Sequence, residues 1–170
     1  MTTNHDVPRG QGGSTASERT VTHATFALER EFPVPPARVY RAFADAATKK
    51  RWFVDTDDWP PLAFEQDFRV GGRERYRGGP SGGPIHRFDA LYQDIVPNER
   101  IVYTYEMHLD DRRISVSVAT LEFLAEGGGT RLVLTEQGAF LDGLDEPRFR
   151  EQGTRDLLDA LAAELERPQA

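Results

Sequence analysis

Charged side chains within strand-like segments are the first residues in this sequence that could do chemistry. They are Arg69, Arg75, Glu106 and Glu136. If strand alternation turned one of them inward, that residue would need a ligand or an ion-pair partner, because an unpaired buried charge is costly. An inward glutamate could then act as a general base on a bound molecule. The other interpretation places all four on an outer face in contact with water, and the sequence leaves both open.

Aromatic side chains form the second candidate group. They make up 10% of the 170 residues. Apolar pockets lined by aromatic rings, with a few polar anchors, are typical of small-molecule sites. A tyrosine adds a hydroxyl group to such a pocket. Most of these rings must form the core, so only a minority of them can line a pocket.

Other reaction classes find little support in the sequence. The chain has no cysteine, which excludes disulfides, thiol nucleophiles and zinc ribbons. It has no GxSxG motif, and the glycine-rich stretch 71–83 lacks the GK[ST] of a phosphate loop. His86 and His108 without further ligands would make a poor zinc site. We therefore predict no metal and no cofactor.

Length and charge limit the class of protein. A chain of this length is typical of one domain. The net charge of −7 argues against a nucleic-acid partner. No stretch approaches the ~20 apolar residues of a membrane span, and the N-terminus lacks the apolar segment of a secretory signal. We predict a soluble cytoplasmic protein.

The order of elements follows from periodicity and turn residues. Residues 1–19 are rich in Gly and Ser and predict a disordered tail, which leaves a single domain over 20–168. A strand over 21–32 ends at Pro33, and short helices over 37–43 and 46–53 follow. A helix over 145–167, with Asp145 as its N-cap, closes the chain. Between them we predict strands joined by short turns over 63–70, 74–77, 85–95, 100–109, 114–124 and 130–137.

This order predicts an α+β fold of the helix-grip type. A curved antiparallel sheet of six or seven strands would wrap the long C-terminal helix, with a space between them beside the two short helices. Phe149, Gly153 and Leu157 fall on the predicted sheet-facing stripe of that helix. The missing side chain of Gly153 would either leave room for a ligand or let the helix approach a bulky strand residue.

Several motifs are similar to those of one family, in order and spacing over about residues 22–167. That family is the activator-of-heat-shock-protein-90-ATPase homologues, within the START-like (SRPBCC) superfamily of helix-grip proteins. The superfamily includes lipid carriers, hormone receptors, polyketide cyclases and chaperone activators, so fold alone does not fix activity. The motifs are Phe32-x-x-Pro35-x-x-x-Val39-x-x-Ala42-Phe43, Asp67-x-Arg69-x-Gly71-Gly72-x-x-x-Tyr76, Tyr92-x-x-Ile95-x-Pro97-x-Glu99-Arg100-Ile101-Val102-Tyr103-Thr104, Glu136-x-Gly138-x-Phe140 and Gly153 with Leu157-Leu158-x-x-Leu161.

The resemblance implies a cavity that binds a small hydrophobic molecule: a lipid, a polyketide or an aromatic metabolite. Two alternatives stay open. One is a cyclase- or hydrolase-type enzyme that uses the same cavity, with Glu136 or a tyrosine as acid–base. The other is an interaction protein that activates a chaperone ATPase. A homodimer is a further open partner. The candidate ligand-binding residues are Trp52, Phe53, Phe68, Tyr76, Tyr92, Tyr103, Tyr105, Glu136, Gly153 and Leu157.

Overall fold

A computed structural model describes residues 18–55 and 61–168 of the chain. The predicted tail at 1–19 therefore lies outside the described residues, except for its last two positions. The elements follow the predicted order, with one helical turn of π type (Lys50–Val54) after the second helix. Their bounds are β1 (Val21–Phe32), α1 (Pro36–Ala44), α2 (Ala46–Lys49), β2 (Pro61–Gln66), β3 (Arg73–Gly78), β4 (His86–Val96), β5 (Arg100–Leu109), β6 (Arg112–Glu126), β7 (Gly129–Leu141) and α3 (Pro147–Leu165).

The seven strands form one curved antiparallel sheet in the order β1-β7-β6-β5-β4-β3-β2. From β2 onward each strand pairs with the next strand in sequence, and β1 closes the edge beside β7. The predicted α+β helix-grip architecture is confirmed. Left-handed backbone at Asp110 (φ 52°), Gly127 (φ 58°) and Gly128 (φ 82°) permits the tight turns that bound β6.

The core lies between this sheet and α3. On β6, buried Ala119, Leu121 and Phe123 alternate with residues that face away from α3, as a half-buried strand requires. The helix places Leu158 and Leu161 against the sheet. Because α3 crosses one face only, the inward side chains of the sheet determine what can lie beneath it.

Two local predictions are wrong. Glu146, not Asp145, precedes α3, and the Asp145 carboxylate instead accepts a 2.6 Å hydrogen bond from Arg150 Nη2. Phe149 is 59% exposed, so it does not belong to the sheet-facing stripe. The stripe starts at Arg150, whose charged group has partners inside the molecule, and such partners cannot be read from apolar periodicity.

The second short helix also differs from its prediction. It is α-helical only over Ala46–Lys49 and then widens into the π turn. That turn directs Trp52 inward, where its indole N–H donates a 2.9 Å hydrogen bond to the Ala42 carbonyl. Such widened turns are frequent at functional sites.

Candidate functional site

Tyr103 occupies the middle of the inward face. It lies on β5, and its ring contacts those of Phe88, Tyr92 and Tyr105, with centroids 6.3, 6.2 and 5.8 Å away. Its side chain points toward α3, yet the residue is only half-buried. Burial, and then the charges around it, raise the pKa of Tyr103 well above its usual value, so its hydroxyl stays protonated.

The Tyr103 hydroxyl has no hydrogen-bond partner among residues 18–55 and 61–168. Four side-chain atoms of that part of the chain are fully enclosed and lack a partner: Gln66 Oε1, Glu74 Oε1, His108 Nδ1 and Ser117 Oγ. The Tyr103 hydroxyl is not among them, so it is not fully enclosed. An inward hydroxyl with neither a partner nor complete enclosure borders accessible space. The sheet therefore presents toward α3 a polar atom to which no described residue hydrogen-bonds.

Glu136, Tyr105 and Arg150 form a buried cluster beside Tyr103, the inner cluster. Tyr105 Oη donates a 2.5 Å hydrogen bond to Glu136 Oε1. Arg150 Nη1 lies 2.9 Å from Tyr105 Oη and 3.2 Å from Glu136 Oε1. Arg150 Nη2 contacts Ser115 Oγ and the Asp145 carboxylate at 2.7 and 2.6 Å. Strands β5, β6 and β7 are thus tied to the start of α3 by one guanidinium group.

Electrostatics fix the protonation of this inner cluster. Burial raises the pKa of Tyr105. The charge of Arg150 lowers this pKa and the charge of Glu136 raises it, and the balance keeps Tyr105 protonated as a hydrogen-bond donor. Burial alone would lower the pKa of Arg150, but Tyr105, Glu136 and Asp145 together raise it. Arg150 therefore remains a cation between two carboxylates.

A second buried cluster, the outer cluster, lies under the π turn. Lys49 Nζ binds Glu74 Oε2 at 2.7 Å, and the two side chains are 5% and 1% exposed. The Tyr92 hydroxyl donates to the same oxygen, and Gln66 Nε2 lies 3.2 Å from it. The ammonium group also lies 4.9 Å from the centre of the Phe53 ring. Three donors meet one carboxylate oxygen, so this cluster holds the short helices on β2, β3 and β4.

The predicted site residues separate into three groups. Four of them surround Phe88, and they are Phe53, Tyr76, Tyr103 and Tyr105. Leu157, half-buried on α3, also belongs to the interior. Trp52, Phe68 and Tyr92 lie elsewhere in the core. The Trp52 ring contacts Phe43, and the Phe68 ring packs on Tyr40 and Tyr92. Glu136 belongs to the inner cluster.

Gly153 is the exception on α3, because it is exposed. Among the described residues, no atom lies within 4 Å of the position that a Cβ would take there. A close approach to a bulky strand residue, one of its two interpretations, is therefore wrong. The prediction that Gly153 lies on the sheet-facing stripe is also wrong, since the position is exposed, as Phe149 is.

Of the four charged strand residues, only Glu136 faces inward. Arg69, Arg75 and Glu106 lie on the surface and form ion pairs of 2.9, 2.9 and 2.8 Å with Asp67, Asp89 and Arg113. Glu106 therefore cannot act as the inward general base that the enzymatic interpretation requires. His86 and His108 do not share a face either, since His86 pairs with Leu109 across the ladder and successive side chains alternate.

Sequence reasoning missed Lys49, Glu74 and Arg150. Sequence signals existed for Glu74 and Arg150, but not for Lys49. Glu74 is two residues from Tyr76 on a strand, so the two share a face. Arg150 is eight residues before Leu158 and eleven before Leu161, so it shares the buried side of the helix.

Two of the depressions on the described surface are lined by none of the ten candidate residues. One, of about 420 Å³, lies at the β2–β3 connection and includes Arg69, Arg73 and Arg75. The other, of about 480 Å³, lies on the face of the sheet away from α3 and includes Thr25, Val116 and Val118. The candidate residues instead surround the region between sheet and helix.

The family model described as "Activator of Hsp90 ATPase homolog 1-like protein" matches residues 33–166. The chain belongs to this family. The matched span starts just after β1 and includes both clusters and all of α3. Fold and family therefore agree with the resemblance found in the sequence.

Solved structures of bacterial proteins resemble this family member over most of its length. A protein from Rhizobium leguminosarum is 46% identical, with a TM-score of 0.85, over 89% of this chain and 99% of its own. One from Rhizobium loti is 52% identical, with a TM-score of 0.80, over 85% and 99%. One from Chromobacterium violaceum is 29% identical, with a TM-score of 0.72, over 85% and 98%. No curated protein matches the chain.

The helices of residues 18–55 and 61–168 include none with both the length and the apolar composition needed to cross a membrane.

Proposed function

We propose that this family member binds a small hydrophobic molecule, such as a lipid, a polyketide or an aromatic metabolite, between the sheet and α3. The observation that carries the proposal is Tyr103. Its side chain faces the helix from the central strand, yet it keeps accessible surface and a hydroxyl without a partner in the described part of the chain. The Ser117 hydroxyl also lacks a partner there but is fully enclosed, so the accessible surface at Tyr103 is what distinguishes this position from a solidly filled interior.

The walls of this region have the composition of a ligand site. Phe26 on β1, Phe53 in the π turn, Tyr76 on β3 and Leu157 on α3 are all half-buried apolar residues of the interior. Each 100 Å² of apolar ligand surface that they cover would contribute about 2.5 kcal/mol. Part of that gain offsets the freedom that the ligand loses on binding.

Rigid positioning of the walls supports the same proposal. The rings of Phe53, Tyr76 and Phe88 meet edge to face, with centroid distances of 6.2 and 5.6 Å from Phe53. The inner and outer clusters hold β3, β5 and β7 in place by charged hydrogen bonds. A preformed site loses less entropy on binding than one that must order itself.

Thermal unfolding with a panel of compounds tests the proposal. The panel contains a fatty alcohol, a flavonoid and an aromatic polyketide, and we expect at least one class to raise the melting temperature further with each tenfold increase in its concentration. A panel without any shift would contradict ligand binding.

The position of the ligand is tested with N-phenyl-1-naphthylamine, a neutral probe whose fluorescence rises in apolar surroundings. Leu157→Trp would place a larger ring on the half-buried side of α3, beside the proposed space, and should weaken probe binding about tenfold or more. Ala163→Trp, on the exposed side of the same helix, is the matched control and should bind as the wild type does. Equal binding by both variants would contradict this location.

A second candidate function is acid–base catalysis in the same region, and Glu136 favours it. Glu136 is an inward carboxylate with polar partners, which the enzymatic interpretation requires. With an ester such as 1-naphthyl acetate, Glu136 would take a proton from the water that attacks the carbonyl carbon. The ester C–O bond then breaks, and the same proton passes from Glu136 to the leaving oxygen, which gives 1-naphthol and acetic acid. Hydrolysis that falls at least tenfold in Glu136→Gln, with probe binding retained, would support an enzyme. Hydrolysis at the rate of buffer alone would leave only the binding function.

A further inference from the structure

One oxygen of the buried Glu136 carboxylate has no hydrogen-bond donor among the described residues. Glu136 is 3% exposed, and both Tyr105 and Arg150 direct their hydrogen bonds to Oε1. Within residues 18–55 and 61–168, Oε2 accepts no hydrogen bond, and it is not one of the fully enclosed unpartnered atoms. Because the side chain points toward α3, the accessible space that Oε2 borders is the interior region beside Tyr103.

The charge of the inner cluster is negative. Arg150 contributes one positive charge, and its two carboxylate partners Glu136 and Asp145 contribute two negative charges. His86 interacts electrostatically with Asp145, but it adds no charge at neutral pH, because burial lowers its pKa. The surplus of one negative charge opposes an anion brought to Oε2, since the interior screens charges less than water does.

Tyr103 supplies the complementary group on the same wall. Its hydroxyl can donate as well as accept, and its ring lies 5.8 Å from that of Tyr105, which contacts Glu136. The charges of Glu136 and Arg150 both act on Tyr103, so these groups surround one region. The wall thus presents one anionic acceptor and one neutral hydroxyl within an aromatic lining.

We propose that the ligand carries an uncharged hydroxyl group, as a phenol or an alcohol, that donates a hydrogen bond to Glu136 Oε2. This inference rests on the proposed binding function and specifies its ligand class. Tyr103 then hydrogen-bonds to the ligand's oxygen. Carboxylates and sulfonates of the same size are rejected by the charge of the inner cluster. Specificity of this kind arises because a buried polar group left unpaired penalises the wrong ligand.

Three compounds with the same ring system separate the effect of the donated hydrogen bond from the effect of charge: 1-naphthol, 1-methoxynaphthalene and 1-naphthoate. They offer a donor, an acceptor alone and an anion. Competition against N-phenyl-1-naphthylamine on the full chain gives the three dissociation constants. We expect 1-naphthol to bind about tenfold or more tightly than 1-methoxynaphthalene, and 1-naphthoate to bind weakest.

Glu136→Gln should reduce the preference for 1-naphthol over 1-methoxynaphthalene to less than about threefold and improve 1-naphthoate binding. Glu106→Gln, the same change on the outer face of the sheet, is the matched control and should keep the wild-type preference. If Glu136→Gln does not fold, the three dissociation constants of the wild-type chain still test whether the site prefers a neutral hydroxyl donor, and equal values would contradict the proposal.

The outcomes separate the two levels of the account. If the fluorescent probe binds but the three compounds bind equally, the hydroxyl anchor is wrong and the binding function stands. A preference for 1-naphthol that persists in Glu136→Gln would also overturn the anchor. If neither the probe nor any of the three compounds binds, the proposed function fails and this inference fails with it.

Discussion

Tyr105 and Glu136 meet across a strand that separates them. They lie on β5 and β7, opposite Ser117 and Ala119 of the intervening β6. Because the two β6 residues have small side chains, the phenol and the carboxylate can approach to 2.5 Å above that strand. Arg150 then joins the pair from α3. This contact links the helix to three strands at once and places Glu136 beside the proposed ligand.

The Tyr105 hydroxyl should contribute measurably to stability. Tyr105→Phe removes the donor to Glu136 and an acceptor for Arg150, and we expect a loss of about 1–3 kcal/mol in the free energy of unfolding by urea. Tyr103→Phe is the matched control, since its hydroxyl has no partner in the described part of the chain, and should cost less than about 0.5 kcal/mol. Equal losses in the two variants would show that the hydroxyl contact carries no stability.

The buried pair Lys49–Glu74 should behave as a unit. Lys49→Met leaves Glu74 buried without its cation, and we expect a loss of about 3–5 kcal/mol. Adding Glu74→Gln removes the stranded charge, so the double variant should be more stable than the sum of the two single losses by more than about 1 kcal/mol. Additive losses in urea unfolding would mean that the two side chains do not interact.

Two glycines should respond to alanine in opposite directions. Gly153→Ala adds a methyl group to a helix where no described atom lies within 4 Å, and should raise the free energy of unfolding by about 0.5–1 kcal/mol. Gly138→Ala should lower it, because the new Cβ would lie 2.8 Å from the Phe140 ring and 3.0 Å from Ser117 Oγ. Thermal unfolding of the two variants compares them directly; destabilisation by Gly153→Ala would contradict the open space.

The start of α2 should show a pH-dependent cap. Hydrogen bonds from the Thr48 hydroxyl and backbone N–H, at 2.6 and 2.9 Å, lower the pKa of Asp45. Since this pKa is lower in the folded than in the unfolded chain, the ionised cap stabilises the fold above the ordinary Asp pKa. That contribution disappears as the pH falls through the lowered value.

Asp45→Ala should therefore cost about 1 kcal/mol at pH 7, and the difference from the wild type should shrink on acidification. Asp55→Ala, at an exposed residue that follows the π turn, is the control. A difference that stays constant from pH 7 to pH 2 would contradict an ionised cap.

The fold was largely predictable because strand alternation and turn residues are local signals. The predicted bounds of β1 and β5 agree with the structure, and the order of β2 to β7 follows from short turns. The position of β1 beside β7 was not predicted, because two helices separate β1 from the next strand. Arg150 was not predictable in this way, since its partners Glu136 and Tyr105 are 14 and 45 residues away in sequence. Such contacts depend on where α3 crosses the sheet. The half-buried state of Tyr103 depends on the same crossing, so the site residues could be named but their roles could not.

Ring signals of the tyrosines test the central claim most directly. The chain has five tyrosines, so ¹³C labelling of tyrosine gives a small set of resonances for nuclear magnetic resonance, which Tyr→Phe variants assign. On titration with 1-naphthol, the Tyr103 signal should move most, while that of Tyr40, which packs on Phe68 and Phe123, should stay in place. If Tyr103 stays in place at saturating 1-naphthol, no guest occupies the region between the sheet and α3, and the account is contradicted.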